Sequence, residues 1–297
     1  MANIIGIGIA ALDIINTTDG YPAEDAEVRA VAQRIARGGN VTNTLVVLSQ
    51  LGHHCQWGGT LGDDIGSQYV LRDLHDYSVD TRHVQMIHDK HTPTSYITLN
   101  QHNGSRTIVH YRDLPEYAFE NFTEIDLTTA DWLHFEGRNI EQVSKMINHA
   151  RSRIPRLNIS VEIEKHRPDI ETLFALPDIL LFSRHYAVQC GYNSADALFA
   201  SLPKHTQSAK HTQLHVCTWG EQGAYAYQNG HSVHASAPAG KHIIDTIGAG
   251  DTFNAGFIHA LLQHCDISTA LTQACTLASQ KCQQQGFSKL VPGITAT

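Results

Sequence analysis

The chain has 297 residues, of which 42% are hydrophobic and 17% are charged, and its formal net charge is −8 at pH 7. This length can bury a sizeable core, and it allows about two domains or one large α/β domain; one large domain with a small appendage fits better. With only 21 lysines and arginines the chain lacks the basic surface of a nucleic-acid-binding protein, and no apolar run approaches the roughly 20 residues that a membrane helix needs.

The first apolar run, Ile4–Ala10, predicts a core strand that is covered on both faces, as in a parallel sheet. No basic leader precedes it, so we expect a cytoplasmic protein. Gly6 and Gly8 do not form a dinucleotide-binding fingerprint, because the third glycine is missing and no helix opens there. Apolar spacing predicts further strands at Cys55–Thr60, Trp132–Glu136, Asn158–Ile163, Ile179–Phe182 and Leu214–Trp219, and helices at Asn40–Leu51, Asp64–Tyr77, Ile140–Ser152, Ala195–Leu202, Ala249–Gln263 and Ile267–Gln284.

These strands and helices alternate in a βαβ pattern. The pattern predicts an α/β fold in which helices flank both faces of a parallel sheet and a ligand binds beyond the carboxyl ends of the strands. Two β-prone segments, residues 13–37 and 93–112, interrupt it, and the second contains the hairpin signal Asn103-Gly104. We expect them to form a small β lid over a core made of residues 1–12, 38–92 and 113–297.

The most informative stretch is Asp245–Phe257, where a glycine-rich turn leads to a carboxylate and then to a helix. Gly248 and Gly250 leave backbone N–H groups uncovered at the positive end of a helix dipole, where they can receive a transferring phosphate. Asp251 follows directly, and its carboxylate can accept or orient the proton of an attacking hydroxyl. The stretch therefore predicts a phosphoryl-transfer site.

A plainer interpretation is a tight turn in which Asp251 only caps a helix, which is a common use of aspartate. The neighbouring sequence favours the anion site. We interpret Ile243 and Ile244 as the end of a buried strand, and Phe253–Leu262 continues with helical apolar spacing. A strand, a turn and a helix in this order are what a phosphate site of this kind requires.

A pocket for the acceptor is predicted where the first long helix opens. Asn40 and Asn43 lie on one face of this helix, so that both amides could grip one polyol. Asp13, at the end of the first strand, would project into the same region and accept hydrogen bonds from adjacent hydroxyls. Taken alone, Asn40 could equally cap the helix and Asp13 a turn.

Together these residues resemble the ribokinase-like, PfkB-type family of carbohydrate kinases over nearly the full chain, and most closely its ketohexokinase branch. The resemblance implies a three-layer α/β fold with a small lid and the ATP-dependent phosphorylation of a ketose such as fructose. A kinase for another sugar or a nucleoside, or a non-catalytic sugar sensor, are the alternatives. The motifs that carry the resemblance are Leu12-Asp13, Tyr21-Pro22-x-Glu24-Asp25, Arg37-Gly38-Gly39-Asn40, Gly104-Ser105-Arg106-Thr107-Ile108, Glu136-Gly137-Arg138-Asn139, Val161-Glu162-x-Glu164-Lys165, Lys281-Cys282 and Gly286-Phe287.

The resemblance also implies roles for single residues. Asp251 would be the base, and Arg106 would reach from the lid to the ATP phosphates, which suits the geometry of a guanidinium group. The positions that match the sugar ligands of the family are Asp13, Gly39, Asn40 and Asn43. The positions that match its anion hole are Gly248, Ala249 and Gly250. The positions that match its second nucleotide loop are Gly220, Glu221, Gln222 and Gly223.

The metal ligands stay unassigned, because residues 183–186 read Ser-Arg-His-Tyr where many ribokinase relatives carry Asn-x-x-Glu. Glu162 and Glu164 are candidates, and we expect at most one of them to face the cleft. Mg²⁺ is expected chiefly on the ATP phosphates and water, and a K⁺ requirement, known in parts of the family, is left open. Because exposed β strands commonly find a partner sheet, we expect the lid segments to form a homodimer.

Overall fold

A computed structural model describes residues 1–206, 213–238 and 243–291 of the chain. Its strands are β1 Asn3–Ile7, β2 Ala11–Thr18, β3 Ala32–Gly38, β4 His54–Gly62, β5 Val79–Ile87, β6 Thr94–Asn100, β7 Arg106–Tyr111, β8 Trp132–Glu136, β9 Asn158–Ile163, β10 Ile179–Phe182, β11 Leu214–Thr218, β12 Ala224–Gln228 and β13 His231–Ala235. Its helices are α1 Asn40–Gln50, α2 Ile65–Asp76, α3 Phe119–Thr123, α4 Ile140–Arg153, α5 Arg184–Gln189, α6 Ala195–Ser201, α7 Pro203–Thr206, α8 Ala249–Leu262 and α9 Ile267–Cys282.

The larger sheet has the strand order β13-β12-β11-β10-β9-β8-β1-β4-β5. The strands from β11 to β5 in this order are parallel, and β12 and β13 extend one edge as antiparallel strands. This arrangement confirms the predicted α/β fold with a mainly parallel sheet. No helix in the described part of the chain is long and apolar enough to cross a membrane.

Strand β1 illustrates why both faces of this sheet are covered. Ile4 belongs to a hydrophobic cluster with α1, α2, α8 and α9, whereas Ile5 and Ile7 belong to a second cluster with α3 to α6. This alternation follows from the two-residue period of a strand. Gly6 faces α1, and a Cβ there would lie 2.6 Å from Cγ1 of Val41, so glycine at this position permits close packing of the helix.

The predicted strands at 132–136, 158–163 and 179–182 match the structure residue for residue. Five of the six predicted helices begin at the predicted residue, and their C-terminal ends differ by one or two residues. The prediction for Ile4–Ala10 was wrong at its end. The strand stops at Ile7, and the chain enters the other sheet at Ala11. Asp13 therefore lies within β2 instead of ending the first strand. A continuous apolar run carries no signal for the point at which the chain leaves one sheet for another.

The smaller sheet has the order β3-β2-β6-β7. Strand β2 pairs antiparallel with β3 and parallel with β6, and β6 and β7 form the hairpin predicted at Asn103-Gly104. Gly104 has a φ of 68°, which lies in the left-handed region that glycine tolerates well. This sheet is built from the two β-prone segments, and its inner face adjoins the carboxyl ends of the parallel strands.

Candidate active site

Two adjoining cavities lie where the parallel strands end. The first, of about 370 Å³, is lined by residues that follow or end β1, β8, β9, β10 and β11, and by side chains of the smaller sheet. The second, of about 580 Å³, lies beside the N-terminal part of α8. Thr218, Thr246 and Gly250 line both cavities. The geometry thus offers two compartments that meet at the start of α8.

Asp251 lies in the first turn of α8 and is 7% exposed, at the wall of the first cavity. Asn43 Nδ2 donates a hydrogen bond of 2.6 Å to Asp251 Oδ2, and Arg37 Nη1 in turn donates one of 2.7 Å to Asn43 Oδ1. Burial is the main reason that the pKa of Asp251 rises to about 7. A carboxyl group that ionises near neutral pH is well suited to accept a proton from a hydroxyl.

The two glycines that precede Asp251, Gly248 and Gly250, differ in how strictly the structure requires glycine. Gly248 has a φ of 77°, and a Cβ there would lie 2.3 Å from Cζ of Phe287, so both the backbone conformation and the close ring require glycine. At Gly250 a Cβ would meet no described atom within 4 Å. Ala249 begins α8, and its N–H donates a hydrogen bond of 3.3 Å to the carbonyl of Thr246, outside the helix. At Gly250 the start of α8 is open toward both cavities.

The segment that leads to Gly248 is not the end of a strand, so this part of the sequence prediction was wrong. Ile243 and Ile244 are 59% and 46% exposed, and they lie outside both sheets. The N–H of Ile244 donates a hydrogen bond of 2.8 Å to the carbonyl of Cys282, the last residue of α9. The backbone of this segment therefore bonds to the end of a helix and not to a strand. Ile243 lines the second cavity.

Asp245 anchors this segment in place of a sheet. Lys281, whose side chain is 0% exposed, places Nζ 3.3 Å from Asp245 Oδ2 and donates a hydrogen bond of 3.0 Å to its carbonyl oxygen. Arg34 Nη2 lies 2.9 Å from the same carboxylate, and the N–H of Ile247 donates to Oδ1 at 2.9 Å. Although burial opposes it, the charge of Lys281 and these donors lower the pKa of Asp245. The ion cluster therefore fixes the loop that precedes the glycines.

The residues predicted to bind the acceptor come together in the first cavity, whose lining includes Asp13, Gly39, Asn40, Asn43 and Asp251. Gly39 has a φ of 110°, and a Cβ there would lie 2.2 Å from the carbonyl oxygen of Ile9, so only glycine fits. Asp13 is 8% exposed, and burial raises its pKa.

The predicted nucleotide residues are divided between the two cavities. Arg106 lines the first, and its Nη1 donates a hydrogen bond of 3.0 Å to Thr246 Oγ1. Gly220, Glu221 and Gly223 line the second cavity. Gln222 is not part of that lining, and its carbonyl accepts a hydrogen bond of 2.8 Å from His234 Nε2.

Glu162 and Glu164 both line the first cavity, so the expectation that at most one would face it was wrong. Residues two positions apart on an extended chain point to the same face. Asn254 Nδ2 donates a hydrogen bond of 3.1 Å to Glu162 Oε1, whereas the buried Oε2 has no hydrogen-bond partner among the described residues. Burial, followed by the nearby charge of Asp251, raises the pKa of Glu162 well above its usual range.

Sequence reasoning gave no role to Arg37 or Asn254. Arg37 is buried, and it holds Asn43 in place while its Nε donates a hydrogen bond of 2.7 Å to Asp73. Asn254 lies three residues after Asp251, and this helical spacing alone would have put both on one face of α8. No group of three or more His, Cys, Asp or Glu in the described ranges is arranged to hold a metal ion.

Comparison with known proteins identifies the family of the chain. A family model described as pfkB family carbohydrate kinase matches residues 1–292. The chain belongs to the pfkB family. It is 36% identical to the ketohexokinase of Mus musculus, over 97% of this chain and 98% of that protein. It is 25% identical to a nucleoside kinase of Methanothermobacter thermautotrophicus, over 98% of this chain and 92% of that protein.

Among solved structures, the ribokinase of Giardia lamblia superimposes with a TM-score of 0.84 at 17% identity, covering 98% of this chain and 97% of that one. This likeness confirms the predicted ribokinase-like fold. The family match and the ketohexokinase relative confirm the predicted enzyme class, an ATP-dependent sugar kinase.

Proposed function

We propose that this pfkB-family enzyme phosphorylates a ketose such as fructose, in the manner of a ketohexokinase. The observation that carries the proposal is the position of Asp251, which shares one cavity with Asp13, Asn40 and Asn43 and stands beside Gly250, where that cavity meets the second. The likeness to mouse ketohexokinase over almost the full chain supports the same substrate class. The cytoplasm remains the location expected from the sequence.

Asp251 acts as the base in this mechanism. Its ionised carboxylate, held by Asn43, accepts the proton of the acceptor hydroxyl as the hydroxyl oxygen attacks the γ-phosphorus of ATP. The N–H groups of Gly248, Ala249 and Gly250 stabilise negative charge on the transferring phosphoryl group. Arg106, held by Thr246 at the edge of the loop, adds a positive charge there. The bond to ADP breaks, and the proton stays on Asp251 until it is released.

The second cavity is proposed to hold the nucleoside part of ATP. Its walls combine the turn of Gly220, Glu221 and Gly223 with apolar side chains, which suit the flat faces of a purine. The apolar contributions come from Ala237, Pro238, Ile243, Phe253 and Ala278. Gln222 belongs to the same predicted loop but lies beside the cavity. Its carbonyl oxygen accepts a hydrogen bond from His234, so we propose that it supports the loop instead of binding the nucleotide.

The residues present also fit a Mg²⁺ ion held mainly by ATP phosphates and water. The unpartnered Oε2 of Glu162 and the carboxylate of Glu164 line the first cavity and are the groups that would hold the hydrated ion. The ion would neutralise charge on the phosphates during transfer. Calorimetric titration of the wild type and of Glu162→Gln with ATP, with and without Mg²⁺, tests this proposal. The substitution should weaken the part of ATP binding that depends on Mg²⁺. A K⁺ requirement stays an expectation from the family.

A panel of ketoses, aldoses and nucleosides, with ADP release as the readout, tests the choice of acceptor. We expect turnover to be highest with ketoses, and NMR of the fructose product would identify the phosphorylated hydroxyl. Preference for a nucleoside or ribose would contradict the ketose proposal while keeping the kinase class. Sugar binding without consumption of ATP would instead favour the sensor alternative.

The outer face of the smaller sheet supports the proposal of a homodimer. Four large apolar side chains on this face are exposed, and an exposed strand face of this kind commonly packs on a partner. They are Ile35, Tyr96, Val109 and Tyr111. Light scattering should give the mass of two chains, and a monomer at micromolar concentration would contradict it.

A further inference from the structure

Three polar side chains lie side by side across the smaller sheet. In the strand register, Asp13 on β2 is paired with Ser95 on β6, and Ser95 is paired with His110 on β7. Side chains at the same level of neighbouring strands point to the same face of a sheet. All three residues line the first cavity, so this row forms part of its roof.

The hydrogen bond between Ser95 and His110 determines how the second ring nitrogen can be used. Nδ1 of His110 lies 3.1 Å from Ser95 Oγ. In the tautomer that carries its proton on Nδ1, His110 donates to Ser95 Oγ. The single proton of the serine hydroxyl then stays available for Asp13, which the strand register places beside it. The neutral ring then carries no proton on Nε2, which is free to accept a hydrogen bond.

Although His110 is an exposed residue of β7, partial burial of its ring, followed by the positive charges of Arg138, Arg112 and Lys165, lowers the pKa of His110 and so favours the neutral form. Within the described part of the chain, the only hydrogen bond of the ring is the one to Ser95. Nε2 is therefore an acceptor without a protein donor, in a cavity where the other prominent acceptors are carboxylates.

We propose that His110 is a further acceptor-binding residue, which takes a hydrogen bond from one sugar hydroxyl through Nε2, next to the hydroxyls held by Asp13. It selects sugars that carry a hydroxyl at that position over their deoxy analogues. Ser95 is a positioning residue, because it holds the ring through Nδ1 and Asp13 through its own proton. This inference rests on the proposed function of the first cavity as the acceptor site.

Deoxy analogues of the preferred ketose, each lacking one hydroxyl, test the inference when they are combined with variants of His110. For one analogue, we expect the wild-type enzyme to lose about tenfold in kcat/KM, the size of one neutral hydrogen bond. His110→Leu should remove this discrimination and lower kcat/KM for the parent sugar to a similar degree. The KM for ATP should stay unchanged, since His110 does not line the second cavity.

Two amide substitutions at His110 distinguish a hydrogen bond to the sugar from a packing role of the ring. The terminal amide of His110→Gln reaches the place of Nε2, so it should restore discrimination, whereas that of His110→Asn reaches only the place of Nδ1 and should not. Thr107→Ala, on the opposite face of β7 from His110 and outside the apolar surface proposed for the dimer, is the control and should keep the wild-type pattern.

The outcomes separate the inference from the proposed function. Wild-type turnover with equal discrimination in wild type, His110→Leu and His110→Gln would overturn the role of His110 and leave the ketose kinase intact. Absence of turnover with any sugar would overturn the proposed function and this inference with it. Loss of discrimination in Leu and its return in Gln would support both.

Discussion

Replacing Gly250 by alanine separates the chemistry of the phosphate loop from its folding. Gly250 is the second residue of α8, it has no left-handed φ, and a Cβ there would meet no described atom within 4 Å. Alanine is the better helix former, so we expect the free energy of unfolding to stay unchanged or to rise by about 0.5–1 kcal/mol. The methyl group would nevertheless project into the space where the two cavities meet.

That space is where the transferring phosphoryl group must approach the N–H groups of α8. Alanine keeps the N–H of this residue, but its methyl group would hold a phosphoryl oxygen away from that donor. Loss of one preorganised contact of this kind typically lowers kcat by about 10²–10³-fold, and we expect a decrease of about 10²-fold for Gly250→Ala. Gly248→Ala is the contrasting variant, because its φ of 77° and its approach to Phe287 predict a loss of stability as well. The backbone contribution alone is about 1–2 kcal/mol.

Steady-state ADP release and thermal unfolding, measured on both variants, give the two quantities. The expected pattern is a stable, slow Gly250→Ala enzyme and an unstable, slow Gly248→Ala enzyme. A Gly250→Ala enzyme with wild-type kcat and wild-type stability would refute the reasoning, because it would mean that no phosphoryl oxygen comes near this amide.

Other predictions concern the loop anchor and the ionisation of the base. Lys281→Met removes the buried cation of the cluster while Arg34 still pairs with Asp245, so denaturant titration should show a loss of about 1–3 kcal/mol, and an unchanged midpoint would contradict the anchor. Because Asp251 must be ionised and its pKa is about 7, kcat/KM should fall as pH decreases through that value, and a flat profile would argue against the base. Asn43→Ala removes the hydrogen bond that lowers the pKa of Asp251, so the fall of kcat/KM should occur at higher pH than in the wild type. An unchanged pH profile would contradict this role of Asn43. Arg106→Ala should lower kcat by about 10- to 100-fold and weaken ATP binding, and an enzyme unchanged in both would remove this arginine from the site.

Much of the fold follows from local patterns. Buried parallel strands such as Trp132–Glu136 read as short apolar runs, and α8 shows its helical period directly, because packing on both faces of the sheet demands these patterns. The edge strands β12 and β13 escaped prediction since they are partly exposed and carry mixed side chains. The segment at Ile243 was predicted as a strand for a related reason. Sequence alone does not distinguish an exposed apolar residue that lines a cavity from an apolar residue buried in a sheet.

The residues of the candidate site likewise fall into those that a local sequence pattern predicts and those that it does not. Gly248, Gly250 and Asp251 are close in sequence, so their joint role could be predicted from spacing. The contacts of Asn43 with Asp251, of Asn254 with Glu162 and of Lys281 with Asp245 depend on how distant segments meet. No local pattern specifies such contacts.

Asp251→Asn is the most direct test, since it keeps the shape of the side chain and removes its ability to take a proton. Turnover should be measured beside the dissociation constants for ATP and for the sugar. We expect kcat to fall by about 10²–10⁴-fold, the usual contribution of a general base, with both dissociation constants near those of the wild type. Near-normal turnover with intact ATP binding would contradict the assignment of Asp251 as the base.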